Sequence, residues 1–167
     1  MASESVRGVD HWLEKAWVVR ALSLALAVGT GVVLALSAWL EPSPDGHGTH
    51  LQLGLGTCTF LQLTDVPCPM CGATTTFALM AHLRIAEAIA NQPFAVLLFL
   101  MTVGVFAVSA AEVVQPRGRW GKLLRPLEPY EGWLASAFLA FMGVAWLYKI
   151  VRMGALGVVL RGIGLGS

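Results

Sequence analysis

Charged side chains are scarce in this sequence. Of its 167 residues, 13% are Asp, Glu, Lys or Arg and 56% are hydrophobic. Soluble domains carry about 25% charged residues, and a chain this short exposes too much surface to hide the surplus apolar side chains in a core. The net charge of +1 creates no basic field that would attract nucleic acid. The composition excludes an ordinary soluble domain and predicts no nucleic-acid partner, and it indicates a protein that is solvated by lipid.

The sequence also lacks the patterns of several enzyme and transporter classes. It has no glycine-rich phosphate loop, no Ser–His–Asp candidates and no paired carboxylates inside an apolar run. Transporters and pumps place ionisable groups at the middle of the membrane, whereas the middles of the apolar runs here hold no charged residue and consist mainly of Ala, Leu, Val, Gly and Phe. These absences favour a role other than catalysis or transport.

Three apolar runs are long enough to cross a bilayer. They cover residues 17–40, 93–114 and 132–151, and about 20 helical residues span the ~30 Å hydrocarbon layer. The first run is too long for the roughly 7–15 apolar residues of a cleaved signal peptide. All six tryptophans lie near proposed span ends, as expected for interfacial indoles. The sequence therefore predicts an all-α membrane protein with three transmembrane helices.

The remaining segments are an N-terminal interfacial segment (1–16), a Cys/His-containing loop (41–72), a short amphipathic, interfacial or re-entrant helix (73–92), a basic connecting loop (115–131) and a Gly-rich tail (152–167).

Lysine and arginine predict the orientation, since cytoplasmic loops are enriched in both. The first connection holds only Arg84, while the N-terminal flank holds three basic residues and the second connection four. The cysteine-bearing connection is thus predicted to be extracytoplasmic. Three basic residues at the end of the chain disagree with this orientation, namely Lys149, Arg152 and Arg161.

The chemistry of the sequence is concentrated in the first connection. Cys68 and Cys71 form a Cys-x-x-Cys pair directly before the predicted helix, and Cys58 precedes them by ten residues. Pro67 and Pro69 stiffen the entry. Unpaired N–H groups at the helix start are expected to favour the thiolate forms of this pair. The first-turn threonines, Thr74, Thr75 and Thr76, are interpreted as capping residues.

Two chemistries fit these cysteines. Zinc binds four ligands in a tetrahedron, chiefly thiolate and imidazole. Cys58, Cys68, Cys71 and His50 are the predicted ligands, with His47 as an alternative fourth ligand and Asp65 as a weaker one. In the second chemistry, Cys68 and Cys71 cycle between dithiol and disulfide, with Cys58 as a resolving thiol. A structural disulfide or simple burial of small side chains is the third possibility.

These residues resemble a known family. The string Cys68-Pro-Met-Cys71-Gly72-Ala-Thr74, followed by a helix and Asn91-Gln-Pro93, is similar to the pattern Cys-Pro-x-Cys-Gly-x-Thr-Arg, helix, Asn-Pro of an uncharacterised family of small bacterial membrane proteins. Thr75 occupies the Arg position of that pattern, and Gln92 separates Asn91 from Pro93. The resemblance implies a multi-pass protein of the bacterial plasma (inner) membrane and a functional cysteine motif, and it implies no reaction.

Together these features predict an accessory or scaffold subunit of a membrane complex with a structural zinc site in its first loop. The alternative is a membrane thiol–disulfide oxidoreductase that uses Cys68 and Cys71. The expected partners are the lipid bilayer and either another membrane protein or a second copy of the chain. Small residues spaced by four, such as Ala27, Gly31 and Ala35, would allow close helix approach within this bundle or between copies.

Overall fold

A computed structural model describes residues 16–155, and within that range every regular element is helical. The predicted interfacial segment and Gly-rich tail lie almost wholly outside the described residues. Two short 3-10 helices, Thr49–Leu53 and Arg125–Tyr130, fall in the two connections. In chain order the α-helices are α1 (Ala16–Trp39), α2 (Thr59–Thr64), α3 (Ala73–Ala81), α4 (Ile85–Asn91), α5 (Pro93–Val114), α6 (Arg119–Leu124) and α7 (Glu131–Arg152).

Three of these helices, α1, α5 and α7, are long and apolar enough to cross a membrane. They confirm the predicted fold class and number of spans. Large apolar side chains are exposed along all three, which is the surface that lipid would cover. Trp17, Trp39 and Trp133 are exposed at helix ends, as expected for interfacial indoles.

The chain divides into two compact units. One comprises Met1–Leu34 and Met101–Glu131, as far as it is described. In it, a methyl group on Gly31 would lie 3.1 Å from the Phe106 ring, so this small residue packs within the chain. The Glu112 carboxylate, fully buried near the end of α5, accepts hydrogen bonds from the backbone N–H of Gly118 at 2.6 Å and from the Arg119 guanidinium at 3.2 Å. That carboxylate therefore attaches the start of the basic connecting loop to the end of α5.

The second unit comprises Ala35–Leu100 and Gly132–Ser167, again as far as it is described. The start of α5 packs against α7 through Phe94, whose ring centroid lies 4.9 Å from that of Phe138 and 5.8 Å from that of Phe141. A small apolar cluster of Leu79, Met80 and Ala88 joins α3 to α4. This unit contains the cysteines.

The segment predicted as one helix over residues 73–92 is two helices, α3 and α4. The chain turns at Leu83, a non-glycine residue with φ +60°. The turn is closed by hydrogen bonds from Leu83 N–H to the Met80 carbonyl (3.1 Å) and from Arg84 N–H to the Leu79 carbonyl (2.9 Å), a helix-ending pattern that usually uses glycine. Apolar residues keep the helical spacing of three and four on both sides of this turn, so the sequence pattern does not predict the turn.

Gly72 provides the first test of the fold. It precedes α3 with φ +85°, and a methyl group there would collide with the Gly46 carbonyl and lie 2.8 Å from Lys149 Nζ. We expect Gly72→Ala to destabilise the protein by more than the roughly 1–2 kcal/mol that a left-handed alanine costs by itself. The measurement is thermal unfolding in detergent, followed by tryptophan fluorescence.

Gly54→Ala is the matched control, because Gly54 has φ +74° and open space around the added methyl group. It should show the backbone cost alone. Equal losses of stability in the two variants would contradict the close packing of Gly72.

Candidate functional site

The three cysteines lie in the connection between α1 and α3. Cys58 is the N-cap residue of α2. Cys68 and Cys71 belong to a tight turn in which Cys71 N–H donates to the Cys68 carbonyl at 2.9 Å. Cys58 and Cys68 are partly exposed, Cys71 is buried, and none of the three is in a disulfide.

All predicted ligands line one cavity of about 420 Å³, which we call the thiol cavity. Apolar side chains such as Leu51, Leu61 and Met70 complete much of its wall. The structure thus brings together residues that are separated by up to 24 positions in the chain. The thiol and imidazole residues that line it are Cys58, Cys68, Cys71, His47 and His50.

The cysteine turn is held by side chains that the sequence analysis did not identify as site residues. The Trp146 indole of α7 donates to the Pro67 carbonyl at 2.7 Å. The Gln92 amide, fully buried, donates to the Pro69 carbonyl at 2.8 Å. Gln92, which separates Asn91 from Pro93 in the sequence, thus links the start of α5 to the cysteine turn.

The cysteine turn is also held by a hydrogen-bond network around Asn91 and Lys149. The Asn91 side-chain amide donates to the Gly72 carbonyl (3.2 Å) and to Thr76 Oγ1 (3.0 Å). The Lys149 ammonium, 3% exposed, donates to Asn91 Oδ1 at 2.8 Å and to the Gly46 carbonyl at 3.1 Å. The only sequence signal for this role was a lysine in the last turns of an otherwise uncharged span.

Thr75 in α3 does not cap the helix as predicted, and it pairs with a threonine earlier in the chain. No side chain caps the start of α3. Instead the buried Thr75 hydroxyl pairs with that of Thr49 at 2.8 Å, and Thr49 Oγ1 also accepts from Ser43 N–H at 3.0 Å. Thr75 therefore joins the early part of the connection to α3.

Cys58 and Cys68 differ in acidity although both line the thiol cavity and each affects the pKa of the other. The backbone N–H of Leu61 favours the Cys58 thiolate and lowers the pKa of that thiol. Burial raises the pKa of Cys68, an effect that the backbone N–H of Met70 opposes. Cys58 is consequently the better nucleophile of the pair at neutral pH.

Burial also raises the pKa of the Cys71 thiol to about 11, with a further contribution from Cys68, while the charge of Lys149 acts in the opposite direction. The expectation that the start of α3 favours the thiolates of Cys68 and Cys71 is therefore wrong. Desolvation outweighs the helix end for both thiols.

The predicted metal ligands share the cavity without converging. The His50 Nε2–H donates to the Gly56 carbonyl at 3.2 Å, and the His47 Nδ1–H donates to the Asp45 carbonyl at 2.9 Å. Within residues 16–155, no group of three or more His, Cys, Asp or Glu side chains is placed to hold a metal ion.

The model of a family described as "Protein of unknown function (DUF2752)" matches residues 58–106 of the chain. The match includes the three cysteines and the first half of α5, and it supports the resemblance to an uncharacterised family. It leaves out α7, which supplies Trp146 and Lys149 to the site. No curated protein matches the chain, and neither does any solved structure.

The acidities predict an order of thiol reactivity. With a pKa raised from 9.0 to about 11, Cys71 should react with iodoacetamide at neutral pH about a hundredfold more slowly than an ordinary thiol, since each pKa unit is tenfold in thiolate. Cys58 should react first, because its lowered pKa leaves more thiolate below pH 9. Timed labelling with peptide mass spectrometry measures the order, and the three rates should become similar in denaturing detergent. A native Cys71 as reactive as Cys58 would contradict the assignment.

Proposed function

We propose that this multi-pass membrane protein carries out thiol–disulfide exchange with a partner protein through Cys58 and Cys68. The observation that carries the proposal is that Cys58 and Cys68 line the same cavity, are both partly exposed, and each affect the pKa of the other. Thiol exchange needs two sulfur atoms within reach of each other, whereas a zinc site needs four ligands around one point. The favoured pair differs from the predicted pair of Cys68 and Cys71, because Cys58 and Cys68 are both partly exposed whereas Cys71 is buried.

The exchange proceeds in two balanced steps. The Cys58 thiolate attacks one sulfur of a partner disulfide, which forms a mixed disulfide and releases a partner thiolate that takes a proton from water. Cys68 then loses its proton and attacks the Cys58 sulfur, which releases the second partner thiol and leaves a Cys58–Cys68 disulfide. Two electrons pass from the cysteine pair to the partner. A dithiol protein returns them by the reverse steps.

The surroundings suit this division of roles. Cys58 is partly exposed at the start of α2, where a protein disulfide can approach it. Cys68 lies on a turn held by Trp146 and Gln92, and this support keeps the second sulfur beside the first. Cys71 is buried with a strongly raised pKa, which keeps it out of the exchange at neutral pH.

Trapping experiments test the assignment. In Cys68→Ser the second step is absent, so we expect Cys58 to accumulate as a mixed disulfide with its partner, or with glutathione when oxidised glutathione is supplied. In Cys71→Ser, the matched control, the Cys58–Cys68 disulfide should form as in the natural chain. Non-reducing electrophoresis and peptide mass spectrometry identify the products. A disulfide between Cys68 and Cys71 in the natural chain, with Cys58 left as a thiol, would overturn the proposal.

A structural zinc site in an accessory or scaffold subunit is the second candidate function. It is supported by the position of three cysteines and two histidines around one cavity, a donor set that suits zinc. Zinc would have to draw Cys58, Cys68, Cys71 and His50 toward one point, and the His50 hydrogen bond to Gly56 would break. The subunit would then dock another membrane protein through its first connection.

Metal content separates the two candidates. Thiol exchange predicts less than stoichiometric zinc in protein purified in detergent, and two further thiols after reduction of an oxidised sample. The structural zinc site predicts about one zinc per chain, lost in both Cys58→Ser and Cys71→Ser. Elemental mass spectrometry and a thiol count before and after reduction decide between them. Stoichiometric zinc lost in both variants would overturn the exchange mechanism.

A further inference from the structure

A second cavity, of about 290 Å³, lies beside the last turns of α7. We call it the cationic cavity, and nothing in the thiol chemistry above uses it. Its walls come from the 43–46 turn, from α4 and from the end of α7. The charged residues that line it are Asp45, Arg84, Glu87, Lys149 and Arg152.

The buried member of this set is Lys149. Its ammonium is surrounded by uncharged acceptors, the Gly46 carbonyl and the Asn91 side-chain and backbone oxygens. Among residues 16–155, no carboxylate lies within 4 Å of it. A buried charge without a counter-ion is costly, and ionisable residues in membrane spans commonly mark functional sites. An anion in the adjoining cavity would supply the missing countercharge.

Arg152 is an exposed member of the set and lies one turn further along α7. Its guanidinium lies over the Tyr148 ring, 5.9 Å from the centroid. Tyr148 is itself anchored, because its hydroxyl donates to the Ala90 carbonyl at 2.7 Å. No carboxylate pairs with Arg152 in the described part of the chain. The guanidinium is therefore placed in advance, with donors available to a ligand.

The charges and the location define the ligand. Arg84 and Glu87 neutralise each other through a hydrogen-bonded ion pair of 2.7 Å, and Asp45 offsets one of the other two cations. One excess positive charge remains, which matches the single negative charge of a phosphodiester. Arginine is well suited to phosphate oxygens. The cavity lies at the end of α7 and beside the residues that lead into α5, two helices long enough to span, which is the depth of lipid headgroups.

We propose that the cationic cavity binds a singly charged phosphate group, presented by an anionic phospholipid headgroup or as free phosphate. Arg152 donates the hydrogen bonds and Lys149 supplies charge. This proposal does not rest on the thiol exchange proposed above. The proposal also gives a reason for the basic residues at the end of the third span, which is predicted to lie on the extracytoplasmic side where lysine and arginine are scarce. These residues bind the phosphate group.

The test uses the full chain with defined probes. The protein is placed in nanodiscs of phosphatidylcholine, alone or mixed with phosphatidylglycerol, and separately in detergent with inorganic phosphate. Thermal unfolding and native mass spectrometry measure stabilisation and retained lipid. We expect a probe that carries a phosphate anion to stabilise the natural chain, and Arg152→Gln to weaken retention about tenfold or more, as for the loss of a charge-assisted hydrogen bond.

Two variants act as controls. Arg125→Gln removes a cation from the other connection and should leave retention unchanged, while Asp45→Asn removes the competing carboxylate and should strengthen it. Stabilisation by phosphatidylglycerol but not by inorganic phosphate assigns a lipid, and stabilisation by inorganic phosphate alone assigns the free anion. Absence of both effects, or equal losses in Arg152→Gln and Arg125→Gln, would overturn the proposal. Neither outcome depends on the fate of the cysteines.

Discussion

The buried ammonium of Lys149 joins the cysteine-bearing connection to the third helix. It draws together the Gly46 carbonyl and Asn91, and it leaves so little room that Gly72 has no space for a side chain. Two neighbours on α7 extend this attachment, Trp146 to Pro67 and Tyr148 to Ala90. Together these hydrogen bonds attach the cysteine-bearing connection and α4 to α7.

Two chemically different cavities share one short stretch of chain as part of their walls. The 43–46 turn contributes to both walls, with thiols in one cavity and cations in the other. The charge of Lys149 reaches Cys71 across the glycine between them. An anion held beside Lys149 would weaken that influence, so occupation of one cavity has an electrostatic consequence in the other.

Sequence reasoning predicted the three spans because apolar length is dictated by bilayer thickness and needs no tertiary information. It also selected the cysteines and His50, which do line a common cavity. It missed the break at Leu83, since that turn is stabilised by backbone hydrogen bonds rather than by a residue type that marks it. It assigned the threonines to a helix cap, while Thr75 pairs with a hydroxyl 26 residues away. The pKa values of Cys68 and Cys71 depend on burial, and the spacing of residues in the sequence does not predict how deeply a thiol is buried.

Part of the hydrogen bonding of the cysteine-bearing segment comes from α7, through Trp146, Tyr148 and Lys149. A fragment without α7 would therefore lack these contacts. The segment 58–106, which matches the uncharacterised family, contains Pro67, Ala90 and Asn91 but none of the α7 donors that satisfy them. A fragment ending before Glu131 would keep two helices long enough to span and would lose the three donors that bond these oxygens. The third helix therefore completes the hydrogen bonding of the cysteine-bearing connection and of the end of α4.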